Sequence, residues 1–325
     1  MPPLTPTPAT RASTAGHAPR PWLLNAGQTS ACLAYPALAD EIARLLQDAS
    51  VQVPARLVQA LPGGASLFVM PAFDDRVAIT KLITFTPANA GTSRPTIQGD
   101  VLVFDSVTGE RRLMLDGPTV TARRTAAVSL LAAQRLAPNP RGPLLVVGAG
   151  VQGKAHLEAF AAGLGVLDVL ISSRNPASAA LLVAYAKSLG LKAQMAPDAN
   201  AALAACPLVV TCTPARQVVL KTLPRNDAFI AAVGAFTPQM VELDADLCRH
   251  VAQTGRVVVD SADAIHEAGD LLQAGLDITR FATLREVIRR PAKMPAGPVL
   301  FKSCGWAGWD LEAARLALAI SARIN

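Results

Sequence analysis

The stretch Leu144-Leu145-Val146-Val147-Gly148-Ala149-Gly150-Val151-Gln152-Gly153 constrains the fold of this chain more than any other. An apolar run of one buried strand's length leads straight into Gly-x-Gly-x-x-Gly, and a helix-forming segment, Lys154 to Leu164, follows. In that setting the glycines divide the work. Gly148 permits a tight turn, Gly150 lets backbone approach a pyrophosphate, and Gly153 lets the helix pack close to the strand. The helix start at Val151 and Gln152 offers unpaired N–H groups and a positive dipole end to phosphates. Strand, glycines and helix together predict a dinucleotide site; the glycine spacing alone would describe only a turn.

The next strand bears on which dinucleotide. Asp168-Val169-Leu170-Ile171-Ser172 runs into Ser173, Arg174 and Asn175. Sites that prefer NAD place an acid about 20 residues past the glycines, to accept from the ribose 2′-OH. Here hydroxyls, an amide and a guanidinium stand instead, and a guanidinium suits a 2′-phosphate. The reading favours NADPH with NADH possible; alternatively Arg174 is a solvated loop residue.

With 325 residues, 51% of them hydrophobic and 17% charged, the chain has enough material for two globular domains. No apolar stretch reaches the ~18 residues of a membrane helix. The net charge of +6 has no basic stripe with interleaved aromatics, which argues against nucleic acid. Five scattered cysteines (Cys32, Cys206, Cys212, Cys248, Cys304) without a Cys-x-x-Cys pair point to reduced thiols in the cytoplasm. The four histidines, His156 among them, lack metal-ligand spacing, so no metal site is expected. Residues 1–20, rich in Pro, Thr, Ala and Arg, read as a disordered tail without the apolar core of a secretory signal.

Short apolar runs dominate residues 58–116, preceded by a helix at about Pro36 to Ala49. The expected strands are Leu67–Met70, Val77–Ile79, Lys81–Phe85, Asp100–Phe104 and Arg112–Leu115, with a hairpin turn at 106–110. Ala-rich Thr119 to Leu136 predicts a helix leading into the nucleotide-binding half. There Leu208–Cys212, Phe229–Val233 and Val257–Asp260 read as parallel strands covered on both faces. Thr213 and Gly234 follow two strand ends, where such sheets bind ligands, and so line the cofactor or merely turn the chain. Trp309 to Arg323 reads as an amphipathic helix returning to the first domain. The fold class is therefore α/β: a Rossmann-type doubly wound parallel sheet (121–304) plus a strand-rich α+β substrate and dimerisation domain (21–120 with 305–325).

These residues resemble the ornithine cyclodeaminase/mu-crystallin family. The likeness is carried by Val69-Met70-Pro71-Ala72, Lys81–Phe85, Thr121-Ala122-Arg123-Arg124-Thr125-Ala126-Ala127 and the glycine loop. Ala232-Val233-Gly234-Ala235, Glu267-Ala268-Gly269-Asp270 and Phe301-Lys302-Ser303 extend it. The resemblance implies a homodimer that binds small amino or imino acids beside a nicotinamide. It assigns Arg56, Lys81 and Arg124 to the substrate carboxylate, a group that guanidinium holds through paired hydrogen bonds, and Lys302 to the cofactor side. Lys81 is odd in an apolar strand unless it faces a polar pocket; otherwise it is an edge lysine in water. Arg123 is the better candidate for a plain surface charge on its helix, and Arg124 the better one for the site.

One departure bears on the reaction. The family's cyclodeaminases carry an Asp at the position occupied here by Phe236, and a phenyl ring moves no protons. The resemblance therefore leans to the family's reductases of cyclic ketimine carboxylates, 1-pyrroline-2-carboxylate and 1-piperideine-2-carboxylate. Lys81 would be the catalytic residue and Phe236 an apolar wall over the ring. The alternatives are a cyclodeaminase, an alanine-type dehydrogenase, or a non-catalytic NADPH-dependent binder.

Overall fold

The structure is a computed structural model that describes residues 22–290 and 296–322; the expected tail at 1–20 lies outside the described residues. A six-stranded sheet, in the order β1-β6-β5-β4-β3-β2, forms the first half. Its strands are β1 (Leu23–Leu24), β2 (Leu57–Ala60), β3 (Ser66–Phe73), β4 (Val77–Phe85), β5 (Ile97–Asp105) and β6 (Arg111–Asp116). Neighbours from β2 to β6 are antiparallel, and β1 joins parallel to β6. The two runs expected at 77–79 and 81–85 are one strand, because Thr80 pairs with both Pro71 and Leu102 and no turn residue interrupts the ladder. Along β4, Ile79, Lys81 and Ile83 are buried while Leu82 is exposed, the alternation of a half-buried strand.

Two helices, α1 (Ala26–Cys32) and α2 (Tyr35–Leu45), lie between β1 and β2. The second ends earlier than the expected Ala49. Helix α3 (Gly117–Leu136) starts where the Asp116 carboxylate accepts from Thr119 N at 2.8 Å. Two glycines make that corner. A Cβ on Gly117 would lie 2.6 Å from the Gly99 carbonyl, and Gly99, at φ +129°, itself lies against the backbone of Leu82.

Beyond α3 the strands are β7 (Leu144–Val147), β8 (Asp168–Ser172), β9 (Lys192–Met195), β10 (Leu208–Thr211), β11 (Arg216–Leu220), β12 (Phe229–Ala232), β13 (Val241–Leu243), β14 (Arg256–Val259), β15 (Ala282–Thr283) and β16 (Val299–Lys302). All but β11 and β13 form an eight-stranded sheet in the order β15-β14-β16-β12-β10-β7-β8-β9. Every pairing in it is parallel. The order reverses between β7 and β10, which opens a crevice at their carboxyl ends. Leu144 and Val146 face one apolar cluster, Leu145 and Val147 the other. That two-sided burial is why β7 reads as an unbroken apolar run.

The remaining helices are α4 (Val151–Leu164), α5 (Pro176–Ser188), α6 (Ala199–Leu203), α7 (Ala245–Thr254), α8 (Ala264–Glu267), α9 (Gly269–Gln273), α10 (Leu284–Arg289) and α11 (Ala307–Ser321). Helix α11 packs on α2, α3, β3 and β4, so the chain does return to the first sheet. It is less amphipathic than expected. Every residue from Ala307 to Ala314 is buried, with Trp309 fully so, because α11 is covered on both sides. One apolar cluster runs through Leu38, Val101, Leu131, Val146 and Trp309, joining the two sheets through α3 and α11. No helix among the described residues is long and apolar enough to cross a membrane.

Candidate active site

The glycine loop links β7 to α4 as the sequence requires. Gly148 adopts φ +111°, and a Cβ there would lie 2.8 Å from the Cys212 carbonyl. Its N–H donates to Ser172 O at 2.8 Å, tying the ends of β7 and β8 together. A Cβ on Gly153 would fall 1.9 Å from Gly148 O, so helix and loop touch there. Gly150 is different: a Cβ on it would meet nothing within 4 Å. It is the N-cap of the 14-residue α4 and supplies no capping side chain. Open space over uncapped N–H groups is the cradle a pyrophosphate needs, and the residues present fit that group. Val151 is exposed at the same end, and Gln152 reaches back to Thr121 O at 3.4 Å.

The residues after β8 diverge. Ser173 is half-buried and Arg174 exposed; among the described residues Arg174 has no hydrogen bond or ion pair. Asn175 caps α5, its side chain accepting from Ala177 N at 3.0 Å. His156, fully buried on α4, lies 2.9 Å from Ser129 Oγ and 2.8 Å from Gln152 O. Burial lowers it to about 4, so it is a neutral core residue.

The three basic candidates come together between the sheets. Lys81 Nζ lies 2.8 Å from Asp310 Oδ2, and Arg124 Nε donates to Oδ1 of the same carboxylate at 3.2 Å. Arg56, just before β2, donates to Gly305 O at 3.0 Å and to Glu267 Oε2 at 2.6 Å. A Cβ on Gly305 (φ +96°) would stand 3.4 Å from the Arg124 guanidinium. Gly305 therefore separates the two guanidiniums, and Arg56, Gly305, Arg124, Asp310 and Lys81 form one contiguous row. The loop carrying Gly305 is fixed by Asp260, whose Oδ2 accepts from Ser303 Oγ, Cys304 N and Gly305 N at 2.7–2.9 Å.

Electrostatics follow from this burial. Lys81 is 1% exposed and is pushed down to about 8, chiefly by burial. Asp310 opposes that fall, while Arg124 and Arg56 reinforce it. Glu267 is pushed up to about 7, again chiefly by burial, with Arg56 opposing. Two groups on opposite sides of the row thus change charge near neutral pH, a pattern enriched in catalytic sites.

Several expectations need correcting. Lys81 is no edge lysine in water: β3 and β5 flank its strand, and the side chain points inward. Arg123 is not a plain surface charge either. Its guanidinium stacks 3.9 Å over the Tyr35 ring and donates to Leu33 O. Lys302 is fully buried, with its ammonium 2.7 Å from Asp270 Oδ2. That contact pairs its charge with Asp270 inside the fold. Thr213 and Gly234 both bond Glu242. Phe236, half-buried, meets Phe85 of β4 edge to face at 6.0 Å across the gap between the sheets.

Sequence reasoning passed over Asp310, Glu242 and Asp260. Asp310 carried little signal of its own, since Glu312 and Arg315 stand beside it in the segment 307–317 and all three read as charges on one ordinary helix. Glu242 and Asp260 carried none, because each is explained only by loops distant in sequence.

Residues 30–319 match the ornithine cyclodeaminase/mu-crystallin family. The chain belongs to this family. It is 39% identical over 298 residues to the Delta(1)-pyrroline-2-carboxylate reductase 2 of Burkholderia ambifaria, covering 90% of this chain and 94% of that protein. It is 34% identical over 296 residues to the mouse ketimine reductase mu-crystallin, covering 88% and 91%. Its fold is that of a Thermococcus litoralis Delta(1)-pyrroline-2-carboxylate reductase solved with NADH and L-proline. There the TM-score is 0.86 at 24% identity, over 93% of this chain and 98% of that one.

Proposed function

We propose that this family member reduces cyclic imino acids, 1-pyrroline-2-carboxylate and/or 1-piperideine-2-carboxylate, to L-proline and L-pipecolate with a nicotinamide dinucleotide. The observation that carries the reading is the row of half-buried Arg56 and buried Arg124 and Lys81, set between the sheets. A free carboxylate needs such a cluster, and the guanidiniums can present paired N–H donors to it. Names of the similar proteins support the same substrate class. When bound, the nicotinamide supplies the hydride that adds to C2 of the C=N bond.

The chain's own groups orient and protonate. Arg56 and Arg124 grip the carboxylate, which fixes C2 toward the cofactor crevice. Lys81, held near 8, gives up a proton to the ring nitrogen as C2 receives the hydride, so the product leaves as a secondary amine. The Phe236–Phe85 pair shields the saturated ring from water. NADPH is the preferred reductant in this reading, on the strength of the exposed, unpaired Arg174 beyond β8.

The assembly proposed is a homodimer through the first sheet. Its edge strand β2 is exposed along its whole length, and Leu57, Val58 and Leu82 are exposed apolar residues of the same sheet. All five cysteines are unpaired, which supports a reducing, cytoplasmic setting.

The deciding assay is oxidation of NADPH and of NADH with each preformed cyclic imine. Steady turnover with an imine, faster than with pyruvate plus ammonia, is expected. Ammonia release from L-ornithine without net cofactor change would instead establish a cyclodeaminase.

A further inference from the structure

The loops after β10 and β12 face the crevice from its far side, and one buried carboxylate joins them. Glu242 Oε1 accepts from Thr213 N at 2.7 Å and Thr213 Oγ1 at 2.8 Å. Its Oε2 accepts from Gly234 N at 2.6 Å and Ala235 N at 3.2 Å. The side chain is fully buried. A carboxylate is the one side chain that can take donors on both oxygens at once without carrying a hydrogen of its own. We propose that Glu242 is the positioning residue of the cofactor crevice, clamping the Thr213 and Gly234–Ala235 loops into the spacing that admits the nicotinamide half of the dinucleotide.

Three further features belong to the clamp. Gly234 must be glycine because the loops are drawn so close: a Cβ would fall 2.1 Å from Thr213 O and 2.5 Å from Glu242 Oε1. The backbone of Glu242 is itself held, since Glu242 N and Leu243 N donate to Asp270 Oδ1 at 2.6 and 3.0 Å. Lys302 on β16 then sits against the other Asp270 oxygen. Its charge offsets the two buried carboxylates from the centre of the parallel sheet, since a buried carboxylate without a counter-charge is costly. This assigns work to Lys302 and Gly234 that direct cofactor contact does not explain.

The inference rests on the dinucleotide reading of the glycine loop and is independent of which imine is reduced. Its test is direct NADPH binding, followed by quenching of intrinsic tryptophan fluorescence and enhancement of nicotinamide emission, with melting temperature measured in parallel. Glu242→Gln replaces one accepting oxygen by an NH2 group that opposes two donors, and weakens NADPH binding about tenfold or more. Glu242→Asp keeps the charge but is one methylene short of spanning both loops. It keeps the charge against Lys302 and so melts above Glu242→Gln, yet stays weakened in NADPH affinity by a similar factor. At saturating NADPH the imine KM of either variant stays within about twofold of the parent, because the Arg56–Arg124–Lys81 row is untouched. Wild-type affinity in Glu242→Asp would overturn the clamp, whatever the fate of Glu242→Gln. Failure of the parent protein to bind NADPH or NADH would remove the dinucleotide reading itself, and the clamp with it.

Discussion

Replacing Asp310 by Asn is the most incisive perturbation of the site. The Asp310 carboxylate is fully buried and bonds Lys81 Nζ at 2.8 Å and Arg124 Nε at 3.2 Å. Asparagine keeps the volume and one accepting oxygen but leaves two buried cations facing each other without a counter-charge. Breaking a buried pair in this way costs about 3–5 kcal/mol. The same loss acts on the titration of Lys81, because Asp310 is the group that resists its fall to about 8. With about 3 kcal/mol of that support withdrawn, the midpoint moves down by roughly two pH units at 1.36 kcal/mol per unit.

The sign is definite. The ammonium that donates the proton exists below the Lys81 midpoint, so activity is lost as pH rises through it. In the parent that loss falls near pH 8; in Asp310→Asn it falls roughly two pH units lower. Urea denaturation at pH 7 measures the stability term, and kcat/KM from pH 5.5 to 9 measures the titration. Adding Lys81→Met to Asp310→Asn recovers part of the lost stability, since one of the stranded cations is gone. An unchanged basic limb together with an unchanged urea midpoint would refute the coupling of Asp310 to Lys81.

Three other outcomes are expected. Gly150→Ala has φ −91° and open space for its methyl group, so it keeps the parent's melting temperature but binds NADPH about tenfold or more weakly, as fluorescence titration would show. Arg174→Ala weakens NADPH several-fold and leaves NADH unchanged, since an exposed guanidinium contributes only through the 2′-phosphate; equal losses for both cofactors contradict that role. His156 has its folded midpoint lowered to about 4, so its contribution is complete above about pH 6.5 and is lost as pH falls toward 4. His156→Gln therefore loses about 3 kcal/mol less stability than the parent between pH 7.5 and 4, by denaturant unfolding at each pH.

Much of the fold was legible because the signals were local. An apolar run followed by Gly148, Gly150 and Gly153 specifies a strand, a turn and a helix through backbone freedom within ten residues. Lys81 was legible by contradiction, a charge in a strand whose neighbours wanted burial. Two strands were read where β4 is continuous, since a strand's length is set by its partners β3 and β5 rather than by its own sequence. Helix α11 carries two acids, Asp310 and Glu312, where an amphipathic helix would turn its charges to water. Both are buried.

Sequence by itself thus determined the parallel sheet, the glycine cradle and the residue types able to hold an anion. Only the tertiary structure decided which charge meets which. Lys81 and Asp310 are 229 positions apart, Arg56 and Glu267 are 211, and Arg124 and Asp310 are 186. Turns and helices answer to neighbours a few residues away, whereas a charge pair forms only after β4, α3 and α11 have been closed on one another by apolar packing that no short stretch of chain encodes.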